Sequence, residues 1–206
     1  MELDYFLGKV PYLYHLTDRG NLNFILGRNR IFSTVELVEM SSNAPGDDFL
    51  RSKRFSHAEV EVDGFLVRIR DQKPLTAALG RSLLNGWTAD QWIYHLNRRV
   101  FTWPNLNRLR RHFAAYQNEN PIILRLATQS VIDLNPVVEL CRINSGDSRC
   151  IGHYGGNPVP RGEETFASIA DYGFDDVAEV TFPNGCQLPE VWEIGNHPDG
   201  PWRAAQ

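Results

Sequence analysis

The sequence puts a histidine and a threonine, His15 and Thr17, on a short apolar strand that runs directly into a helix. Side chains alternate along a strand, so His15 and Thr17 share one face while Tyr14 and Leu16 take the other. Asp18 can cap the helix, and Leu22, Ile25 and Leu26 recur at helical spacing. The free amides at such a helix start suit an anion such as a pyrophosphate. The same spacing also describes a core histidine bonded to backbone, and local pattern does not separate the two. A carboxylate stands near the other end, in Val177-Ala178-Glu179-Val180-Thr181-Phe182. Ala178, Val180 and Phe182 alternate there with Glu179 and Thr181, a pattern that by itself describes an outward-facing acid on an amphipathic strand.

Positive charge collects mid-chain in Arg51-Ser52-Lys53-Arg54, Arg98-Arg99 and Arg108, Arg110 and Arg111. Solvated helix faces explain such clusters as readily as a ligand does. Arg99, between Asn97 and Phe101 on a strand that should cross the core, costs stability unless it faces a cleft or pairs with an acid. Arg70-Asp71-Gln72-Lys73 raises the same question and also reads as a turn with an internal ion pair. Net charge is −4, which argues against wrapping duplex DNA through bulk electrostatics.

His15, Thr17, Asn21-Leu22 and Ile25-Leu26 together resemble the opening motif of DarT-type DNA ADP-ribosyltransferases, which runs His, any residue, Thr, then Asn-Leu and an Ile-Leu pair. The segment 177–182, followed by Leu188-Pro189, Val191 and Ile194, is similar to that family's glutamate strand, and Asn97 to Pro104 to its central aromatic strand. The resemblance implies an α+β, single-domain ADP-ribosyltransferase-like fold over residues 1–206, with a split central β-sheet core and flanking helices. It implies NAD as cosubstrate, with Glu179 as the catalytic carboxylate and Arg54 beside it, and with His15, Leu16, Thr17, Asn21 and Arg51 around the cosubstrate. Asn21 would either fix the turn or touch NAD, and Arg51 is the alternative to Arg54 for the family's arginine. The implied acceptor is a nucleic-acid base, with single-stranded DNA ahead of RNA. Apart from the resemblance, Arg99 is a substrate-site candidate because of its burial cost on a core strand, and His153 and Tyr154 in the loop before Glu179 are candidates for stacking on a base. A toxin or phage-defence role, with a cognate antitoxin as partner, goes with it. The family's second histidine, after the threonine, is Asp18 here, which bears on target choice more than on NAD. A protein or water acceptor on the same scaffold, or an NAD-binding module without turnover, are the alternatives.

Other constellations are missing: no GxxxxGK[ST], no GxGxxG after a strand, no HExxH and no GxSxG. Cys141, Cys150 and Cys186 form no CxxC and have no histidine at zinc spacing, so reduced thiols and no metal are expected. A thiol nucleophile beside His153 would lack an activating neighbour beyond Arg142 and Arg149. The 206 residues, 42% hydrophobic, suffice for one core. With no apolar run of spanning length and no signal layout at Met1-Glu2-Leu3-Asp4, a cytoplasmic protein without membrane contact is expected.

Strands are expected over 12–17, 64–70, 99–103, 122–126, 177–182 and 190–194, and helices over 19–26, 34–40, 74–84, 89–96 and 105–116. Thr88 can cap the fourth helix, and Asn85-Gly86 can end the third in left-handed conformation. Helices early and strands late, without βαβ alternation, favour α+β. Residues 144–174, rich in Gly, Pro, Ser and Asp, are expected to be mostly a functional loop leading into Glu179.

Overall fold

The computed structural model describes residues 1–149 and 158–205. The first half contains α1 (Leu3–Lys9), β1 (Tyr12–Asp18), α2 (Leu22–Arg28), β2 (Arg30–Ile31), α3 (Thr34–Met40), α4 (Asp47–Arg51), β3 (Ala58–Val62), β4 (Phe65–Ile69), α5 (Leu79–Ser82) and α6 (Ala89–Asn97). The second contains β5 (Arg99–Thr102), α7 (Leu106–Tyr116), β6 (Pro121–Ala127), α8 (Thr128–Leu134), β7 (Glu139–Cys141), β8 (Ala167–Ser168), β9 (Glu179–Pro183), β10 (Cys186–Gln187), β11 (Glu193–Gly195) and β12 (Arg203–Ala204).

Helices and small antiparallel sheets make a mixed α/β architecture. Two four-stranded sheets dominate, ordered β1-β6-β11-β12 and β5-β9-β7-β8, with two-stranded pairs β3-β4 and β10-β2 beside them. The alternating inner faces of the two larger sheets close on one core. Leu13, Ile122, Leu124 and Leu126 from the first meet Val100, Leu140, Val180 and Phe182 from the second. Each fully buried aliphatic side chain contributes about 1.5–3 kcal/mol, so this layer fixes how the sheets sit. On the outer face of the first sheet, Tyr14, Leu16 and Ile123 pack against Leu109 of α7 and against Trp103.

Among the described residues one bridge stitches the sheets, Tyr14 to Trp103, whose backbones exchange hydrogen bonds of 3.0 and 2.8 Å. One residue on, the His15 ring replaces the next ladder bond by donating to Phe101 O at 2.9 Å. Residues 15 and 17 therefore lie where the pairing of β1 with β5 stops, and a space opens there.

Local chemistry explains the elements around that space. Asp18 Oδ1 accepts from Gly20 N at 2.8 Å, which caps a 3-10 turn over Arg19–Asn21 rather than the helix itself; α2 follows it and ends at Asn29, φ +46°. Ser33 and Glu36 form a capping box at α3, with Ser33 N donating to Glu36 Oε2 at 2.8 Å and Glu36 N to Ser33 Oγ at 3.2 Å. Thr88 N likewise donates to Gln91 Oε1 at 3.0 Å before α6. Asp63 and Gly64, both at positive φ, make the two-residue turn joining β3 to β4. Asn85 and Gly86 also take positive φ. The helix expected over 74–84 shrinks to α5, because Thr76 N is captured by Ser148 Oγ at 2.7 Å. Within 144–174 the described residues hold one 3-10 turn, Glu163–Thr165, and the two residues of β8. Among the described residues no helix is long and apolar enough to cross a membrane.

Candidate active site

A cavity of about 300 Å³ opens at the end of the β1-β5 joint. His15 and Thr17 of β1, Arg54, Arg68 and Arg70 along the β4 side, Phe101 and Trp103 at the β5 side, His112 and Tyr116 of α7, and Glu179 all line it.

Glu179 enters from the start of β9, opposite Cys141 of β7. It is 3% exposed, so the outward-facing alternative does not hold. Ser145 holds one carboxylate oxygen, Oε2, through its backbone N–H at 3.1 Å and its hydroxyl at 2.7 Å. Among the described residues the other oxygen has no hydrogen-bond partner. Burial pushes the Glu179 carboxyl up to about 7, against the opposing pull of the Ser145 bonds and of Arg108 and Arg161. The acid thus sits between charge states near neutral pH, as groups that exchange protons or steady a developing cation often do.

His15 is held down to about 4 by burial, with Arg70 adding to the effect against the bond to Phe101. It is neutral at pH 7. Because Phe101 O can only accept, the proton is on Nδ1, which leaves Nε2 as an acceptor. Thr17 Oγ1 accepts from Asn21 Nδ2 at 3.2 Å. Asn21 spends the rest of its amide on β4, donating to Arg68 O at 2.9 Å and accepting from Arg68 N at 2.8 Å. Of its two expected roles, these bonds are those of fixing the turn. Leu16 lines the cavity but its side chain belongs to the outer apolar layer.

The two candidate arginines separate. Arg54 lines the cavity, braced by Nε to Arg70 O at 3.0 Å and Nη1 to Asn97 Oδ1 at 3.0 Å, and burial lowers it to about 10. Arg51 does not reach the cavity. At the end of α4 it pairs with Asp47 at 2.7 Å and stacks on Tyr94 of α6, 4.4 Å from the ring centre. The pattern RSKR does not reveal which way a helix end points. Arg99 reaches the cavity wall but is paired with Glu139 at 2.7 Å and stacked on Phe166, so the two ways of relieving its burial coexist. His153 and Tyr154 lie outside the described residues.

Arg70 is the residue whose weight the sequence underplays. Asp71 does pair with Lys73, at 2.7 Å, as a turn with an internal ion pair requires. Arg70 turns away from it and lies over Tyr116, 4.1 Å from the ring centre, with Nε and Nη1 buried and without a hydrogen-bond partner among the described residues. Burial lowers its pKa. Buried donors left open cost free energy that an anion would recover. Tyr116, His112 and Trp103 form a ladder of rings, with centres 5.1 and 5.0 Å apart, along the same wall. Burial holds His112 down to about 3, again neutral. The α7 face carrying these rings follows helical spacing, 112 and 116 after 109, and that spacing was the available signal. Ser145 and Arg161 act from irregular chain and left none.

Cys141 is buried and its thiol is pushed up, mainly by burial, so it is no thiolate nucleophile. Among the described residues no group of three or more His, Cys, Asp or Glu is placed to hold a metal. Arg108 pairs with Asp176 at 3.3 Å and Arg110 with Asp199 at 2.5 Å, so part of the mid-chain positive charge is neutralised by nearby acids.

The chain belongs to DUF7002, a family of unknown function, whose model matches residues 11–194. That span includes every residue described at the cavity. No curated protein and no solved structure matches the chain.

Proposed function

We propose that the chain is an NAD-dependent ADP-ribosyltransferase with an ADP-ribosyltransferase-like fold, transferring ADP-ribose to a nucleic-acid base, single-stranded DNA ahead of RNA. A toxin or phage-defence role within the cell, subject to an antitoxin, follows from the same DarT-like resemblance. The observation that supports it best is that His15 and Glu179, 164 positions apart in sequence, line one cavity. NAD must span both if it is to be cleaved rather than merely held.

The residues present fit such a ligand. Arg70, whose buried Nε and Nη1 have no hydrogen-bond partner among the described residues, and Arg54 line the cavity as cations for a diphosphate, and the His112 and Trp103 rings on the same wall suit a planar ring. His15 Nε2 can accept from a ribose hydroxyl. Breaking the nicotinamide–ribose bond builds positive charge on the sugar, as glycoside cleavage does. The open oxygen of Glu179 can accept from a ribose hydroxyl and, once ionised, steady that charge in a water-poor site. Nicotinamide leaves with the bonding pair, and the acceptor attacks the same carbon and gives up its proton to solvent.

The pairing of Arg108 and Arg110 with acids favours one alternative, a protein or water acceptor, because fewer cations remain for phosphates. Incubation with NAD labelled in the adenylate half, against separate pools of single-stranded DNA, RNA and protein, tests the reading. Label on a nucleic-acid pool supports it. Label confined to protein, or free ADP-ribose alone, moves the acceptor, and unchanged NAD in every pool refutes transfer.

A further inference from the structure

Arg161 is 1% exposed and has no carboxylate partner among the described residues. Its guanidinium donates instead to backbone carbonyls: Ser145 O at 3.3 Å, Asn144 O at 3.3 Å, Val159 O at 2.5 Å, and Asp147 O. Its own backbone is tied to the end of α5, through Arg161 N to Ser82 O at 2.7 Å and Leu84 N to Arg161 O at 2.8 Å. The turn it gathers is anchored at its far side by Thr76 N on Ser148 Oγ. Desolvating a guanidinium this far is costly, and carbonyls recover the cost only if the turn keeps one shape. That shape is the one that presents Ser145 N–H and Oγ–H to the same oxygen of Glu179.

We propose that Arg161 is a positioning residue for Glu179: by gathering the carbonyls of Asn144, Ser145 and Asp147 it keeps Ser145 clamped on one carboxylate oxygen and leaves the other to the ligand. This deepens the reading of Glu179 as the reacting carboxylate and rests on it for its purpose, though not for its test. The charged and titratable groups facing Glu179 are Arg108 from α7, Cys141 from β7 and Arg161 itself. Arg161→Lys keeps the charge but cannot reach the same set of carbonyls, so it separates positioning from field.

The test is the carboxyl titration of Glu179, followed by NMR in carboxyl-labelled protein and assigned with Glu179→Gln. Ser145→Ala is expected to raise the midpoint by about one pH unit, since a hydrogen bond to the ionised form is lost. Arg161→Lys is expected to raise it at least as much, because it loosens the Ser145 N–H and hydroxyl arms together, and the double variant is expected to move no further than Arg161→Lys alone. An unmoved midpoint in either single variant, or additive shifts, overturns the proposal. Should Arg161→Lys fail to fold, the Arg161 Nε–H resonance of the wild-type protein decides. It must follow the Glu179 titration through Ser145 O, and a flat response overturns the clamp. Neither readout needs NAD turnover, so an inactive protein would refute the proposed function while leaving this assignment standing or falling by itself.

Discussion

Glu179→Gln should stabilise the protein, and only above acidic pH. The wild-type carboxyl binds its proton more tightly when folded, near 7, than at the ordinary value of 4.5. Ionisation therefore costs the folded state. The cost is absent below about pH 4.5, grows between 4.5 and 7 and is complete above. At about 1.4 kcal/mol per tenfold in proton affinity, the rise corresponds to about 3 kcal/mol as an upper figure. Glutamine cannot ionise and can still accept from Ser145, so most of that cost is removed by the substitution. We expect Glu179→Gln to be about 1–3 kcal/mol more stable than wild type at pH 8, and equal to it near pH 4, with about 2–4 °C in Tm for each kcal/mol. The buried histidines His15 and His112 are common to both proteins and cancel in the difference. Urea unfolding of the pair at pH 4, 6 and 8 measures it. A difference that does not change with pH, or a loss of stability at pH 8, would refute the burial argument.

Arg70→Met is expected to weaken NAD binding at least tenfold, about 1.4 kcal/mol, whereas Arg51→Met stays within about twofold; calorimetric titration of both variants checks the separation of the two arginines. His15→Gln should gain stability relative to wild type as pH drops below 6.5, because His15, held down to about 4, takes up its proton on unfolding and glutamine does not; His112 and Glu179 are common to both proteins and cancel in the difference of urea midpoints measured across the range. If single-stranded nucleic acid is the acceptor, its affinity should decline with salt but with a modest log–log slope, since Arg108 and Arg110 are already ion-paired. Binding measured from 50 to 300 mM salt that did not decline would remove phosphate contacts from the account.

Elements with strong local chemistry were legible in the chain: α3 with its Ser33-Glu36 box, α6 behind Thr88, α7 after Asn105, and β1 with its alternating polar pair. β3 was not among the expected strands, although Val60 and Val62 alternate with Glu59 and Glu61 as a half-buried strand does and pair with β4 across a two-residue turn. α1 and α4 are short, and their ends depend on tertiary contacts such as Met1 N on Tyr172 O at 2.8 Å. At the cavity, His15, Thr17, Arg54 and Glu179 could be named from spacing and resemblance. The direction of Arg51 could not, since Asp47 and Tyr94 decide it. Arg161 and Ser145 meet Glu179 only through folded loops, so nothing in their neighbours announced them.

The cavity shared by His15 and Glu179 must both bind and cleave NAD. Calorimetric affinity for NAD and release of free nicotinamide, measured together on wild type and Glu179→Gln, test this. Nicotinamide release by the wild-type protein, abolished in Glu179→Gln while NAD affinity stays within about tenfold, is the predicted result. No NAD binding by the wild-type protein, or undiminished cleavage by Glu179→Gln, would contradict it.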